Sequence, residues 1–130
     1  MTDAEKVVRK FYEALSRYDV PAILELCDPA TEWRLVGPPT VPYLGSYRGT
    51  SEVRTFFERL AVCERLDWCV PRKFLSSSTE VAVLGEESGM ALTTRKPFKV
   101  EWMHWFAVKE GRIASFLEVI DSASLQAAYL

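Results

Sequence analysis

The hydrophobic period of this chain changes once, and that change limits the fold more than any other feature. In the first half, apolar residues recur at helical spacing: Val8, Phe11, Tyr12 and Leu15 stand at i, i+3, i+4 and i+7, and Val53, Phe56, Phe57 and Leu60 repeat the theme. From Leu66 onward the runs Leu66 to Leu75, Val81 to Leu92, Phe98 to Val108 and Ile113 to Ile120 read as strands. Between them lie the turn-prone Ser76-Ser77-Ser78, Thr94-Arg95-Lys96-Pro97 and Glu110-Gly111. Helices first and a long-stranded antiparallel sheet second is an α+β arrangement.

Local signals divide the first half further. Thr2-Asp3-Ala4-Glu5 has the capping-box spacing and opens a helix that ends near Tyr18. Asp19 caps a second, short helix with Pro21 in its first turn, stopping at Asp28-Pro29. Trp33 to Val36 reads as a strand, and the Pro- and Gly-rich stretch up to Gly49 as a long ordered loop carrying Tyr43 and Tyr47. A third helix begins at Thr50 or Ser51, and a short helical tail, Ser122 to Leu130, closes the chain. Pro71 marks an edge position or a bulge in its strand.

With 130 residues, the expectation is one domain spanning 1–130. Apolar residues at 48% and charged residues at 26% exclude a disordered chain. Sixteen basic against 18 acidic side chains leave no basic surplus, which argues against nucleic acid or a membrane surface as partner. The start, Met1-Thr2-Asp3-Ala4-Glu5-Lys6, lacks the regions of a signal peptide, so a cytoplasmic location is expected. Cys27, Cys63 and Cys69 have no CxxC spacing and stand with a single histidine, so neither a disulfide framework nor a metal site is expected.

The run from Phe98 to Val108 is heavy on both faces. Phe98, Val100, Trp102, His104, Phe106 and Val108 share one parity, while Met103, Trp105 and Ala107 occupy the centre of the other. If Trp102 and His104 point inward, the Met103 and Trp105 face points out. The expected cover for it is a second copy of the chain, in a homodimer.

Several strings, in this order and spacing, carry a resemblance across nearly the whole chain. They are Val7-Val8-Arg9-Lys10-Phe11-Tyr12-Glu13-Ala14-Leu15 with Asp19, Glu32-Trp33-Arg34-Leu35-Val36-Gly37, and Pro42-Tyr43-Leu44-Gly45-Ser46-Tyr47-Arg48-Gly49 leading to Val53 and Phe56-Phe57. Later come Trp102-Met103-His104-Trp105-Phe106, Lys109-Glu110-Gly111-Arg112-Ile113 and Val119-Ile120-Asp121. The chain resembles the SnoaL-like polyketide cyclase and ketosteroid-isomerase-like families of the nuclear transport factor 2-like superfamily. That resemblance implies a cone-shaped, curved antiparallel sheet wrapped around three N-terminal helices, with a deep, mostly apolar pocket. It further implies cofactor-independent acid–base chemistry of the cyclase or isomerase type on a small hydrophobic carbonyl compound. The fold also hosts non-catalytic binding proteins for small hydrophobic ligands, and interaction modules, so residues must decide.

Asp121 matches the acidic residue that such cyclases carry at the end of the last long strand; Asp121-Ser122 also reads as a helix cap. His104, between bulky aromatics, matches a family histidine and suits the polarisation of a carbonyl or the orientation of a carboxylate. A two-residue turn at Glu110-Gly111 sets His104 opposite Leu117 and puts Asp121 on its face, whereas a three-residue turn with a bulge reverses this. Trp33, Tyr43, Tyr47, Phe57, Trp68, Met90 and Trp102 suit the wall of a pocket for a flat hydrophobic ligand. The chain departs from ketosteroid isomerases proper: Trp33-Arg34-Leu35 stands where their catalytic aspartate lies, and Phe11 where their oxyanion-binding tyrosine falls. It also lacks the Arg-x-Asp of limonene-epoxide hydrolases around Trp102 to His104, so neither activity is expected.

Overall fold

Three of the four helices start where a side chain takes up a free backbone N–H; the third starts at Gly49, before the expected Thr50 or Ser51, with no side-chain cap. A computed structural model describes all residues, Met1–Leu130. In α1 (Asp3–Ser16) Thr2 accepts from the Glu5 N–H, and in α2 (Val20–Glu25) Asp19 accepts from Ala22 with Pro21 in the first turn. Strand β1 (Cys27–Val36) begins earlier than its β-rich centre indicates, taking in Asp28 and Pro29. Then β2 (Gly45–Arg48) pairs with it, Trp33 opposite Tyr47, inside the segment read as loop. Helix α3 (Gly49–Cys63) follows, then the meander β3 (Glu64–Ser76), β4 (Glu80–Ala91), β5 (Pro97–Lys109) and β6 (Arg112–Ile120), and finally α4 (Ser122–Tyr129).

The six strands form one curved sheet in the order β2-β1-β6-β5-β4-β3. All neighbours are antiparallel except β1 and β6, which run parallel. The whole meander lies between those two in sequence, so no hairpin imposes their relative direction. Pro71 sits on the edge strand β3, beside a register shift between Pro71 and Lys73, so it meets both conditions that let proline enter a sheet. The helices pack on the concave face, and one apolar cluster runs from Val8 and Phe11 of α1 through Trp33, Phe56 and Phe57 to Phe106 and Phe116. No helix is long and apolar enough to cross a membrane.

The β5–β6 hairpin decides which side chains share the concave face. Glu110 and Gly111 have φ of 54° and 76°, the two left-handed residues of a tight hairpin turn, and Lys109 pairs with Arg112. The register then slips: Val108 pairs with Ile113, but Ala107 pairs with Ser115, leaving Ala114 as an extra, bulged residue. The two-residue turn is therefore present, yet His104 faces Glu118 and not Leu117. One inserted residue moves every later side chain of β6 to the other face, so Phe116, Glu118 and Ile120 point inward.

Candidate functional site

Between α1, α3 and the sheet lies a cavity of about 340 Å³. Its mouth lies between the end of α1 and β3, where the exposed Ser16, Tyr18, Asp67 and Trp68 line it; its depth is formed by buried Trp33, Tyr43, Phe57 and Phe116. Three buried carboxyl groups line this mostly apolar space: Glu64 from β3, Glu87 from β4 and Glu118 from β6. Burying an acid costs several kcal/mol unless it is paired or keeps its proton, and the three meet that demand differently.

Glu118 is paired. Its Oε1 lies 2.8 Å from His104 Nε2, and the other ring nitrogen, Nδ1, lies 2.7 Å from the Tyr12 hydroxyl. Burial pushes the ionisation of Tyr12 far above its ordinary value, so its hydroxyl is the donor and Nδ1 the acceptor. Nε2 then carries the hydrogen and donates it to Glu118. Burial also lowers the His104 pKa, against the opposing pull of Glu118, so the ring works as a neutral relay. The Trp102 ring stacks on the imidazole with centroids 3.7 Å apart, and Phe116 closes the other side at 4.8 Å.

Glu87 is not paired. It is 5% exposed, lines the cavity and receives no hydrogen bond from the protein. Burial, followed by the charges of Glu118 and Glu64, raises its pKa well above the ordinary range, which makes it a neutral carboxylic acid and a proton donor. Glu64 accepts a 2.6 Å bond from the Tyr129 hydroxyl at Oε2, and burial lifts its pKa to about 7.

The residues singled out from sequence separate into two groups. His104, Trp33, Tyr43, Phe57 and Trp68 line the cavity. Trp102 is buried behind His104, and Tyr47 is buried outside the cavity, its hydroxyl donating to the Tyr43 carbonyl at 2.7 Å. Met90 is half-buried near the end of β4 opposite Pro97, away from the lining. Asp121 is exposed: its carboxylate accepts from the Ser124 backbone N–H at 3.3 Å and hydroxyl at 2.8 Å, as the cap of α4. The bulge at Ala114 brings Glu118 to His104 in place of Asp121. Sequence reasoning passed over Tyr12, Glu64, Glu87 and Glu118. The available signal was the acid standing alone on an apolar strand, Phe116-Leu117-Glu118-Val119-Ile120, but its facing depended on the unseen bulge.

The SnoaL-like domain family matches residues 8–116. No curated protein matches the chain. Among solved structures, a nuclear transport factor 2-like protein from Burkholderia thailandensis E264 superposes with a TM-score of 0.89 at 26% identity, over 100% of this chain and 98% of that one. A candidate polyketide cyclase from Xanthomonas campestris pv. campestris gives 0.79 at 20% identity, covering 98% and 97%. A candidate isomerase from Rhodopseudomonas palustris gives 0.79 at 20% identity, covering 98% and 96%.

Proposed function

The chain belongs to the SnoaL-like domain family, and from that premise we propose that it is a cofactor-independent acid–base enzyme of the cyclase or isomerase type acting on a small hydrophobic carbonyl compound. One observation carries the reading: a single apolar cavity holds a carboxylate backed by a neutral histidine, Glu118, and an unpaired acid that keeps its proton, Glu87. A base held in place by a histidine, beside an acid that keeps its proton, is what proton abstraction next to a carbonyl requires. Glu118 takes the proton from the carbon beside the carbonyl, and the electron pair moves into the carbonyl to give an enolate. Glu87 donates a hydrogen bond to the developing oxyanion in a space shielded from water. Return of the proton at another carbon completes an isomerisation; attack of the enolate carbon on a second carbonyl of the same molecule gives an alkoxide, and its protonation by Glu118 completes a cyclisation and restores the base. His104 and Tyr12 are positioning residues that fix the orientation of the Glu118 carboxylate.

The test follows the exchange of α-protons for deuterium by NMR in a panel of aryl ketones and 1,3-diketones dissolved in D2O with the protein. Exchange above the buffer rate is expected, with Glu118→Gln lowering it by roughly 10²–10⁴-fold. Equal rates for wild type and Glu118→Gln would overturn the assignment. Tight binding of such ketones with no exchange would make the protein a carrier.

We also propose a homodimer formed through the convex face of the sheet. Leu84, Met103 and Val119 form one cross-strand row there, and Ala82, Trp105 and Leu117 the next. Leu84, Trp105 and Val119 are exposed at 49%, 41% and 43%. A contiguous apolar patch on a sheet face is costly in water, and a two-fold contact buries it against its own copy.

A further inference from the structure

We infer that the ligand of this cavity carries an N–H beside a carbonyl on one flat edge, as a lactam or a primary carboxamide does, and pairs that edge with both carboxyl oxygens of Glu87. This rests on the cavity being the ligand site and names the polar edge of the carbonyl compound proposed above. Glu87 is 5% exposed, lines the cavity and has no hydrogen-bond partner in the protein. Its surroundings on the sheet explain why. On its own strand the neighbouring inward positions are Gly85 and Gly89, and across the sheet it faces Val100 of β5 and Cys69 of β3, whose thiol is turned to the Trp102 indole. None of these four gives the carboxyl a hydrogen bond. Oε1 of Glu64 is shut in by protein, whereas neither oxygen of Glu87 is enclosed, so both open on the cavity.

The other polar groups around the cavity are already committed. The Tyr43 and Tyr129 hydroxyls are directed at Glu64, Tyr18 donates to the Phe57 carbonyl at 2.7 Å, and both nitrogens of His104 are taken by Tyr12 and Glu118. Glu87 is thus the buried donor left for a ligand. With burial set against its charged form and no cation in reach, it keeps its proton. A neutral carboxyl presents an O–H donor and a carbonyl acceptor side by side in one plane. A ketone engages the donor and leaves the acceptor unpaired, a loss of binding that the adjacent N–H of a lactam makes good. A carboxylic acid has the same edge, but it ionises at neutral pH, and no lysine or arginine lines the cavity to receive it. The buried rings of Trp33, Phe57 and Phe116 suit a flat ring system bearing this edge.

Calorimetric titration with 2-quinolone, coumarin and 4-quinolone tests the inference, because the three share one bicyclic shape and differ in the edge they offer. In 2-quinolone the N–H adjoins the carbonyl, in coumarin a ring oxygen replaces the N–H, and in 4-quinolone the N–H and carbonyl stand on opposite sides of the ring. The expected result is that 2-quinolone binds at least roughly tenfold more tightly than either of the others. Glu87→Gln, whose amide also sets a donor beside an acceptor, is expected to keep that preference, and Glu87→Met, of similar length without either, to erase it. Equal affinity for 2-quinolone and coumarin, binding of 4-quinolone as tight as that of 2-quinolone, or a preference that survives Glu87→Met would each overturn the pairing. The wild-type series decides even if the variants do not fold. Binding of none of the three would overturn the hydrophobic-ligand reading together with this inference. Lactam-selective binding without α-proton exchange would support the pairing and remove only the acid–base reading.

Discussion

Glu87 shows at the scale of one residue how a buried acid makes stability depend on pH. In the unfolded chain its carboxyl ionises near its ordinary 4.5, whereas in the folded chain burial and two neighbouring acids make it keep its proton to much higher pH. Above about pH 4.5 the folded state therefore binds more protons than the unfolded state, and stability falls as pH rises. Glu64 acts in the same direction up to about pH 7. His104, held neutral by burial, acts oppositely and loses stability as pH falls below its ordinary 6.5. Glu87→Gln removes one of the first pair. Urea denaturation should find this variant close to wild type at pH 4.5 and more stable by about 1–3 kcal/mol at pH 8. Parallel pH profiles would show that Glu87 ionises normally.

At the scale of elements, the site depends on two details of strand geometry. Gly85 of β4 lies directly opposite Trp102 of β5, and a Cβ there would collide with the indole ring and the Val70 carbonyl. The absent side chain lets Trp102 lie flat and stack on His104. Gly85→Ala should thus cost about 1–3 kcal/mol or more by overpacking and also lower exchange activity, because the ring that holds His104 is displaced. Full activity in a folded Gly85→Ala variant would show that the stack is dispensable. The second detail is the Ala114 bulge, which sends Asp121 to the α4 cap. Asp121→Ala should cost about 1 kcal/mol of stability, while Asp121→Asn, which still caps, should cost little, and both should retain activity. Loss of turnover in a stable Asp121→Asn variant would return that residue to the chemistry.

At the scale of the whole molecule, the sheet separates two apolar faces, of which the helices cover only the concave one. Trp105 sits in the middle of the other, its indole nitrogen 3.3 Å from Glu80. Trp105→Glu is expected to convert the proposed dimer to monomer, read by sedimentation at micromolar concentration, with little change in the far-UV spectrum. A wild-type monomer at that concentration would overturn the dimer.

The helices and the four-stranded meander in their order, the caps of α1, α2 and α4, the facing of β5 and the membership of the SnoaL-like family were legible in the chain, because they follow from periods and short motifs that neighbouring residues determine. Val8, Phe11 and Leu15 share a helix face whatever surrounds them, and Trp102, His104 and Phe106 share a strand face by alternation alone. The strand β2 was hidden because its four residues gain their conformation by pairing with β1, against a local composition that favours a loop. The candidate site was legible only in part, at His104 and several cavity aromatics. Its acids depended on register: strand alternation puts either Glu118 or Asp121 on the face of His104, and a single bulged alanine selects Glu118. Nor does a sequence show that Glu64, Glu87 and Glu118, from three different strands, line one apolar cavity. The protonation of Glu64 and Glu87 is set by burial and neighbouring charge, which exist only once the sheet has closed over the helices.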